Sequence, residues 1–219
     1  MDRKLLLILV LLLLSGTILT LAAYFFGVFP FDMKAAIELR EVDSPAVLAL
    51  MAAVSFLGDG WVPVFLVFAV AAICALRRRW IEAIFVIATL SAGALAGVLK
   101  ALVGRERPPA FAMSPSDLFP SFNTYAYPSG HVLFFVVFYG FLAYLSWKYL
   151  TGRARLISLS VCAALIVLIG PSRLILGEHW VSDVVGSYII GTLWLIILIL
   201  LYEMVLHWRT RGLEGRGST

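Results

Sequence analysis

Long apolar runs, separated by short segments rich in charged residues, glycine or proline, dominate this 219-residue sequence. A helix that crosses a bilayer needs about 20 predominantly apolar residues, and somewhat shorter runs can suffice. The pattern predicts six transmembrane helices, at residues 5–26, 60–76, 81–99, 131–147, 156–171 and 184–202. Six crossings would place both ends of the chain on the same side of the membrane.

A further apolar run, at residues 46–57, is too short to cross a bilayer. It contains twelve residues between Ser44-Pro45 and Gly58, which suits a helix lying along the membrane surface. The predicted fold class is therefore all-α, an integral membrane bundle of six transmembrane helices plus one short interfacial helix. No segment resembles a linker between two cores, so residues 1–219 are predicted to form a single membrane-embedded domain.

Composition supports a membrane protein, because 62% of the residues are hydrophobic and only 14% are charged. Cys74 and Cys162 lie inside apolar runs, where they are expected to pack as small hydrophobic side chains. The N-terminal run also resembles a signal peptide, with Arg3-Lys4 before its apolar core. Basic residues at both ends of an even number of spans favour retention of this segment, and cleavage is the alternative.

The 17 lysine and arginine residues divide unevenly between the two sides of the predicted bundle. Eleven fall on one side: Arg3, Lys4, Arg77, Arg78, Arg79, Lys148, Arg153, Arg155, Arg209, Arg211 and Arg216. Six fall on the other: Lys34, Arg40, Lys100, Arg105, Arg107 and Arg173. Because cytoplasmic loops collect basic residues, we predict an inner or plasma membrane protein with both termini cytoplasmic. The net charge of +4 follows from these loops and does not indicate nucleic-acid binding.

Three polar stretches lie at span ends, at residues 100–108, 128–131 and 172–183. The predicted topology puts them all on the extracytoplasmic side. In the third, residues 172–183, Asp183 follows His179 by four residues, so a helix would bring both to one face. Such a carboxylate can hold an imidazole in one tautomer and leave its other nitrogen free to attack phosphorus. Arg173 offers permanently charged planar donors for phosphate oxygens. Alone, this stretch could equally be a capped helix start with His179 at the interface.

The second stretch, residues 128–131, stands where a loop enters the fourth predicted span. Backbone N–H groups near Gly130 can face an anion, Ser129 adds a hydroxyl, and His131 can protonate a leaving oxygen. Alone, this segment is more typical of an ordinary turn that caps a helix.

The first stretch, residues 100–108, contributes cations. Lys100 ends the third predicted span and Arg107 follows seven residues later, although a lysine at a span end often simply extends to the interface. We expect Arg105 to pair with Glu106, with phosphate binding as its alternative. Together the three stretches supply fixed cations, two histidines and a carboxylate, which are the parts of a phosphoryl-transfer site.

These stretches resemble the tripartite signature of the type 2 phosphatidic acid phosphatase superfamily. That superfamily includes bacterial phosphatidylglycerophosphate and undecaprenyl pyrophosphate phosphatases and, more distantly, vanadium haloperoxidases. The resemblance rests on this spacing: Lys100, six residues, Arg107-Pro108; Pro128-Ser129-Gly130-His131; and Ser172-Arg173, five residues, His179, three residues, Asp183.

The resemblance implies a role for each matched residue. His179 would be the nucleophile that forms a phosphohistidine, Asp183 would orient it, and His131 would be the general acid. The phosphoryl oxygens would be held by Lys100, Arg107, Ser129, Gly130 and Arg173. The resemblance implies no metal and no cofactor, because fixed cations would take the place of Mg²⁺.

A site at the membrane interface favours a phosphate attached to a hydrocarbon chain. The predicted function is an integral membrane lipid phosphatase acting on undecaprenyl pyrophosphate, phosphatidylglycerophosphate or phosphatidate, with no obligatory protein partner. The alternatives are a lipid phosphotransferase, a lipid A phosphatase, and a non-catalytic lipid-phosphate binder or transporter.

Two further features concern packing. Side chains between the first two stretches are expected either to reach into headgroups or to pack on span ends: Phe111, Met113, Phe119, Phe122, Tyr125 and Tyr127. Gly93 and Gly97 have a small-residue spacing that favours close approach of helices, within the chain or between chains. We expect the approach to be within the chain.

Overall fold

The computed structural model describes residues 2–39, 41–108 and 125–214, and these ranges contain nine helices. In chain order they are α1 (Arg3–Phe26), α2 (Pro30–Leu39), α3 (Pro45–Phe56), α4 (Val62–Leu76), α5 (Trp80–Ala88), α6 (Ser91–Val103), α7 (Gly130–Tyr149), α8 (Gly152–Ile175) and α9 (Val181–Glu214). All regular structure in the described ranges is helical, so the all-α prediction is confirmed.

Five helical segments of the described chain are long and apolar enough to cross a membrane. They are α1, α7, α8, most of α9, and the unit formed by α5 and α6 together, Trp80–Val103. The chain is therefore a multi-pass membrane protein. Helix α4 covers the second predicted span, but its 15 residues are short for a bilayer crossing. The count of six spans consequently stays a prediction.

Glycine and serine set the helix ends nearest the polar stretches. Helix α6 ends at Gly104, which adopts a φ of 64° and donates its N–H to the carbonyl of Lys100 over 2.9 Å. Glycine adopts this left-handed conformation easily because it has no Cβ atom. At the start of α7, the hydroxyl of Ser129 accepts the N–H of Val132 over 3.5 Å and caps the helix.

Helix α7 is the centre of the bundle. It packs against α5, α6, α8 and α9, and its buried side chains lie on all of its sides. Among the largest are Phe135, Phe138 and Phe141, which are almost completely buried. Helix α1, in contrast, packs along α6 and α9 and leaves most of its apolar surface outward, as suits a helix that faces lipid.

A polar cluster joins α5, α7 and α9 at the end of the bundle where α7 finishes. The carboxylate of Glu82 accepts hydrogen bonds from Tyr149 at 2.8 Å and from Tyr202 at 3.1 Å. Next to them, Glu203 pairs with Lys148. The polar groups at this end of α7 thus have partners of their own.

The short helices α2 and α3 lie at the other end of the bundle. Helix α3 confirms the helix predicted at residues 46–57, and it packs on α8, where Ser172 donates to the carbonyl of Met51 over 2.6 Å. Its orientation along the membrane surface stays a prediction. Helix α2 was not predicted, because its ten residues mix polar and apolar side chains and form no long apolar run.

One of the two glycines expected at a close helix contact, Gly93, has no such contact, whereas Gly186 has one. A Cβ atom built at Gly93 would meet no described atom within 4 Å, so the close approach predicted within the chain is wrong at this position. At Gly186 in α9, by contrast, a Cβ atom would lie 2.6 Å from the ring of Tyr127. The residue before the second polar stretch is therefore pressed directly against α9.

Candidate active site

The three polar stretches converge at one end of the bundle. Arg107 in the first stretch donates to the backbone carbonyl of Glu178 in the third over 3.2 Å. The second stretch reaches the third through Ser187, whose hydroxyl accepts the N–H of Ser129 over 2.7 Å. The same hydroxyl donates to the backbone carbonyl of Asp183 over 2.6 Å. Helix packing thus assembles one site from three separate segments.

His179 lies buried just before α9, with 3% of its surface exposed. Burial lowers the pKa of its imidazole well below the usual value, and the positive charges of Arg107, Arg173 and Lys100 lower it further. The ring is therefore neutral at physiological pH, with a lone pair available for attack. Three of the predicted phosphate-binding residues lie close enough to act on this ring.

Asp183 lies one helical turn after His179 and is fully buried. Its Oδ2 atom is 3.7 Å from Nδ1 of His179, which confirms the predicted proximity but is longer than a hydrogen bond. Among the described residues, this Nδ1 has no hydrogen-bond partner. Oδ2 instead accepts the N–H of Trp180 over 2.8 Å. Catalytic hydrogen bonds are often long in unliganded sites and shorten when substrate binds.

The expected pairing of Arg105 with Glu106 is wrong. The guanidinium of Arg105 is 1% exposed and lies 2.5 Å from Asp183 and 2.6 Å from Asp32. It also donates to the hydroxyl of Ser182 over 2.7 Å. Two buried carboxylates attract a cation more strongly than one exposed glutamate, because water screens the exposed charge.

Asp32, in α2, is a residue of this network that sequence reasoning missed. It is fully buried and accepts the backbone N–H of Ser182 over 2.9 Å and the Ser182 hydroxyl over 2.6 Å. Asp32 precedes Arg105 by 73 residues and belongs to none of the polar stretches. One signal could have indicated such a residue: the polar stretches contain more cations than carboxylates, and buried cations require counter-charges.

The cations expected to bind phosphate are largely buried. Lys100 is 4% exposed, so it does not extend into solvent as a lysine at a span end can. Arg173 contacts the hydroxyl of Ser55 in α3 and the carboxylate of Glu178. Glu178 also lies 3.7 Å from Arg107, so one carboxylate bridges two arginines. Ser55 and Glu178 were both missed, because neither belongs to the spacing pattern.

His131, in the first turn of α7, pairs with a carboxylate outside the polar stretches. Its Nε2 atom lies 2.7 Å from Oδ1 of Asp59, in the turn between α3 and α4. Burial raises the pKa of Asp59, but the hydrogen bond and charge of His131, with the charge of Arg173, bring it below its usual value. Asp59 is therefore ionised. It was not predicted, because it precedes His131 by 72 residues.

The side chains between the first two stretches are only partly described. Four of them, Phe111, Met113, Phe119 and Phe122, lie outside the described residues. Tyr127 is fully buried, its hydroxyl lies 2.9 Å from that of Thr20 in α1, and burial raises its pKa. It packs inside the bundle rather than reaching into headgroups.

Fold and site together define a multi-pass helical membrane protein with a buried, cation-rich site around a neutral histidine. Within the described ranges, no three His, Cys, Asp or Glu side chains are grouped as metal ligands. The chain belongs to the PAP2 superfamily, whose family model matches residues 81–206. This confirms the resemblance to type 2 phosphatidic acid phosphatases. The protein is thus an enzyme, a phosphatase of a type that works without a metal ion.

One sequence match and one structure match show the similarity in more detail. The chain is 27% identical to phosphatidylglycerophosphatase B of Bacillus subtilis (strain 168) over 163 residues, which cover 73% of this chain and 76% of that protein. Its fold matches the crystal structure of a transmembrane PAP2-type phosphatidylglycerolphosphate phosphatase from Bacillus subtilis. That match has a TM-score of 0.76 at 24% identity and covers 90% of this chain and 96% of the other.

Proposed function

We propose that the protein hydrolyses a lipid phosphate at the extracytoplasmic membrane face through a phosphohistidine on His179. The observation that carries this proposal is the environment of that histidine. It is buried and neutral, lies 3.7 Å from Asp183, and is acted on by the charges of Lys100, Arg107 and Arg173. A neutral nucleophile among fixed cations suits attack on an anionic phosphoryl group.

The first step transfers the phosphoryl group to His179. Because Nδ1 faces Asp183, Nε2 is the atom that attacks phosphorus and forms the N–P bond. The bond from phosphorus to the leaving oxygen breaks, its electron pair stays on that oxygen, and His131 gives the oxygen a proton. Asp183 accepts the Nδ1–H of the resulting imidazolium once the 3.7 Å gap closes.

The second step releases phosphate. His131, now neutral, accepts a proton from water while the water oxygen attacks phosphorus. The N–P bond breaks and returns its electron pair to Nε2 of His179. His131 is then protonated again, and the enzyme is ready for another cycle.

The phosphoryl oxygens are bound by the cations Lys100, Arg107 and Arg173, by Ser129, and by the backbone at Gly130. Fixed donors of this kind stabilise the charge that develops on the three equatorial oxygens. The hydroxyl of Ser129 can donate to phosphate while its oxygen accepts the N–H of Val132. Transition-state stabilisation therefore comes from side chains and backbone.

The membrane fold supports a substrate whose phosphate is attached to a hydrocarbon chain. The similar protein and the similar solved structure are both named as phosphatidylglycerophosphate phosphatases, which favours phosphatidylglycerophosphate over undecaprenyl pyrophosphate and phosphatidate. The uneven distribution of basic residues supports cytoplasmic termini and an extracytoplasmic site.

Phosphate release by the purified full-length protein in detergent tests the proposed activity. The substrates are phosphatidylglycerophosphate, undecaprenyl pyrophosphate, phosphatidate, lipid A phosphate and one water-soluble phosphate ester, and the first should be hydrolysed fastest. EDTA should leave the rate unchanged. His179→Ala should abolish release, whereas His207→Ala, which alters an exposed histidine near the other end of α9, should not.

Trapping the intermediate tests the mechanism. Rapid quenching with labelled substrate should give an acid-labile, base-stable phosphohistidine in the wild-type protein and none in His179→Ala. Full activity of His179→Ala would overturn the proposal. Label that accumulates in an added acceptor lipid would instead indicate a phosphotransferase, and tight lipid binding without turnover would indicate a binding protein.

A further inference from the structure

The turn between α3 and α4 supplies a partner for His131. Oδ1 of Asp59 lies 2.7 Å from Nε2 of the ring, and about a third of the Asp59 side chain is exposed, against 17% of the His131 side chain. A charged partner at this distance makes a strong hydrogen bond that fixes the plane of the imidazole. The ring is thereby held by a residue that none of the three polar stretches contains.

Gly58 brings this turn against the ring. A Cβ atom at Gly58 would lie 2.3 Å from Cδ2 and 3.0 Å from Nε2 of His131, so any larger residue would have to displace the imidazole. Gly58 and Asp59 are consecutive residues. Gly58 packs on the imidazole of His131, and Asp59 makes a hydrogen bond with Nε2 of the same ring. Two independent contacts of one turn therefore set the position of His131.

The hydrogen bond also distinguishes the two ring nitrogens. An ionised Asp59 can only accept, so Nε2 must carry a hydrogen atom. In a neutral ring, Nδ1 is then the unprotonated nitrogen, and in a charged ring Nδ1 carries the proton that can be given away. The atom that exchanges protons with substrate or water is therefore Nδ1.

We propose that Asp59 is a positioning residue that holds His131 with Nε2 protonated and stabilises the imidazolium that protonates the leaving oxygen through Nδ1. This inference rests on the proposed function, because it assumes that His131 is the general acid. In the transfer step the proton moves from Nδ1 to the leaving oxygen, and in hydrolysis Nδ1 takes a proton from water. Asp59 itself gains and loses no proton.

The other charges around His131 explain why such a partner is needed. Lys100 in α6 and Arg173 in α8 repel a protonated imidazole, and His179 lies close enough for the two rings to interact. Asp59, from the α3–α4 turn, contributes the negative charge that opposes them. The cations that attract phosphate disfavour the proton that the leaving group requires, and Asp59 reduces this effect.

A pair of substrates with different leaving groups tests the proposal. Both substrates carry the same hydrocarbon chain. In the first, phosphate is esterified to an alkyl oxygen, and in the second, to the oxygen of a nitrophenyl group. A nitrophenolate leaves without protonation, whereas an alkoxide does not. In Asp59→Asn, we expect kcat/KM for the alkyl phosphate to fall about 100-fold, within the range for general acid catalysis. For the nitrophenyl phosphate it should fall several-fold at most.

Three further variants isolate the effect. Asp43→Asn makes the same change at an exposed carboxylate just before α3 and should match the wild type with both substrates. Gly58→Ala displaces the ring without removing a charge and should reproduce the selective loss. His131→Ala should show the same selectivity, and adding Asp59→Asn to it should cost nothing more, because the two residues act as one unit.

The outcomes separate the possibilities. In Asp59→Asn, the alkaline limb of the kcat/KM profile for the alkyl phosphate should move to lower pH. Equal losses with both substrates in a folded Asp59→Asn variant would overturn the proposal and indicate a structural role. A lower KM with unchanged kcat would also overturn it, because Asp59 would then merely obstruct the site. If Asp59→Asn does not fold, Gly58→Ala tests the proposal through the same comparison of kcat/KM for the alkyl and nitrophenyl phosphates. Absence of phosphohistidine in the wild type would refute the proposed function instead.

Discussion

The guanidinium of Arg105 donates a hydrogen bond of 2.5 Å to Asp183, across 78 residues of sequence. This contact fixes the carboxylate that stands beside His179, the proposed nucleophile. The same guanidinium also binds Asp32. Both carboxylates are fully buried, so one cation compensates two anions inside the protein. Removing that cation would leave charges in a place where water cannot reach them.

Arg105→Gln should therefore strongly destabilise the protein. Breaking a buried ion pair by deleting one partner typically costs about 3–5 kcal/mol. Thermal unfolding in detergent should show a lowered midpoint, together with reduced kcat because Asp183 is no longer held. Lys34→Gln is the matched control, because Lys34 and Glu38 form an exposed pair at 3.8 Å that should contribute little. Equal midpoints for the two variants would contradict this account.

The pH profile should report on the charges around His179. Its pKa lies well below the ordinary value of about 6.5, so the neutral ring persists into acidic solution and the acid limb of kcat/KM lies correspondingly low. The charge of Arg107 is the largest electrostatic cause of this lowering. In Arg107→Gln the pKa should rise, and the acid limb should move to higher pH.

Comparison between variants removes the contribution of the substrate, whose own phosphate ionisation is the same in each. Arg153→Gln alters an exposed arginine at the start of α8 and should leave the limb in place. A limb that stays fixed or moves to lower pH in Arg107→Gln would contradict the assignment of the acid limb to His179.

Glu178 should compete with substrate phosphate. Its carboxylate contacts Arg173 and lies 3.7 Å from Arg107, two of the residues proposed to bind phosphoryl oxygens. Glu178→Gln should lower the inhibition constant of inorganic phosphate by about tenfold, the effect expected from freeing one hydrogen bond to a charged group. Glu106→Gln, at an exposed side chain, is the control. An increase in the constant would mean that Glu178 holds the arginines in place for binding.

Two glycines should respond oppositely to the same substitution. Gly186→Ala would put a Cβ atom 2.6 Å from the ring of Tyr127, and such overpacking typically costs about 1–3 kcal/mol. Gly93→Ala meets no described atom within 4 Å and should stabilise helix α6 by up to about 1 kcal/mol. Thermal unfolding in detergent measures both, and a destabilised Gly93→Ala would point to a close contact at that helix face.

The long apolar runs made most of the fold predictable, because a bilayer imposes a minimum length on every crossing helix. Helix α2 escaped prediction because it lacks such a run, and α4 shows that an apolar run need not produce a full-length helix. The motif spacing likewise predicted that His131, His179 and Asp183 belong to one site.

The carboxylate partners of the motif residues could not be assigned from sequence. Asp32, Asp59 and Glu178 follow no spacing rule, and the first two precede their partners by more than 70 residues. Local pattern also gave the wrong partner for Arg105, because it favoured the adjacent Glu106 over Asp32 and Asp183. Burial decides such pairings, and burial depends on how the helices pack, which local pattern does not reveal.

The Asp32 contact with Arg105 also bears on how this enzyme can be divided. The family model begins at residue 81, yet Asp32 and Asp59 lie upstream of it. A fragment trimmed to residues 81–206 would keep every signature residue but lose Asp32, one of the two carboxylates bound to Arg105, and Asp59, the partner of His131. The signature is therefore not a portable module, and grafting it onto another helical scaffold would require carrying the N-terminal helices along with it.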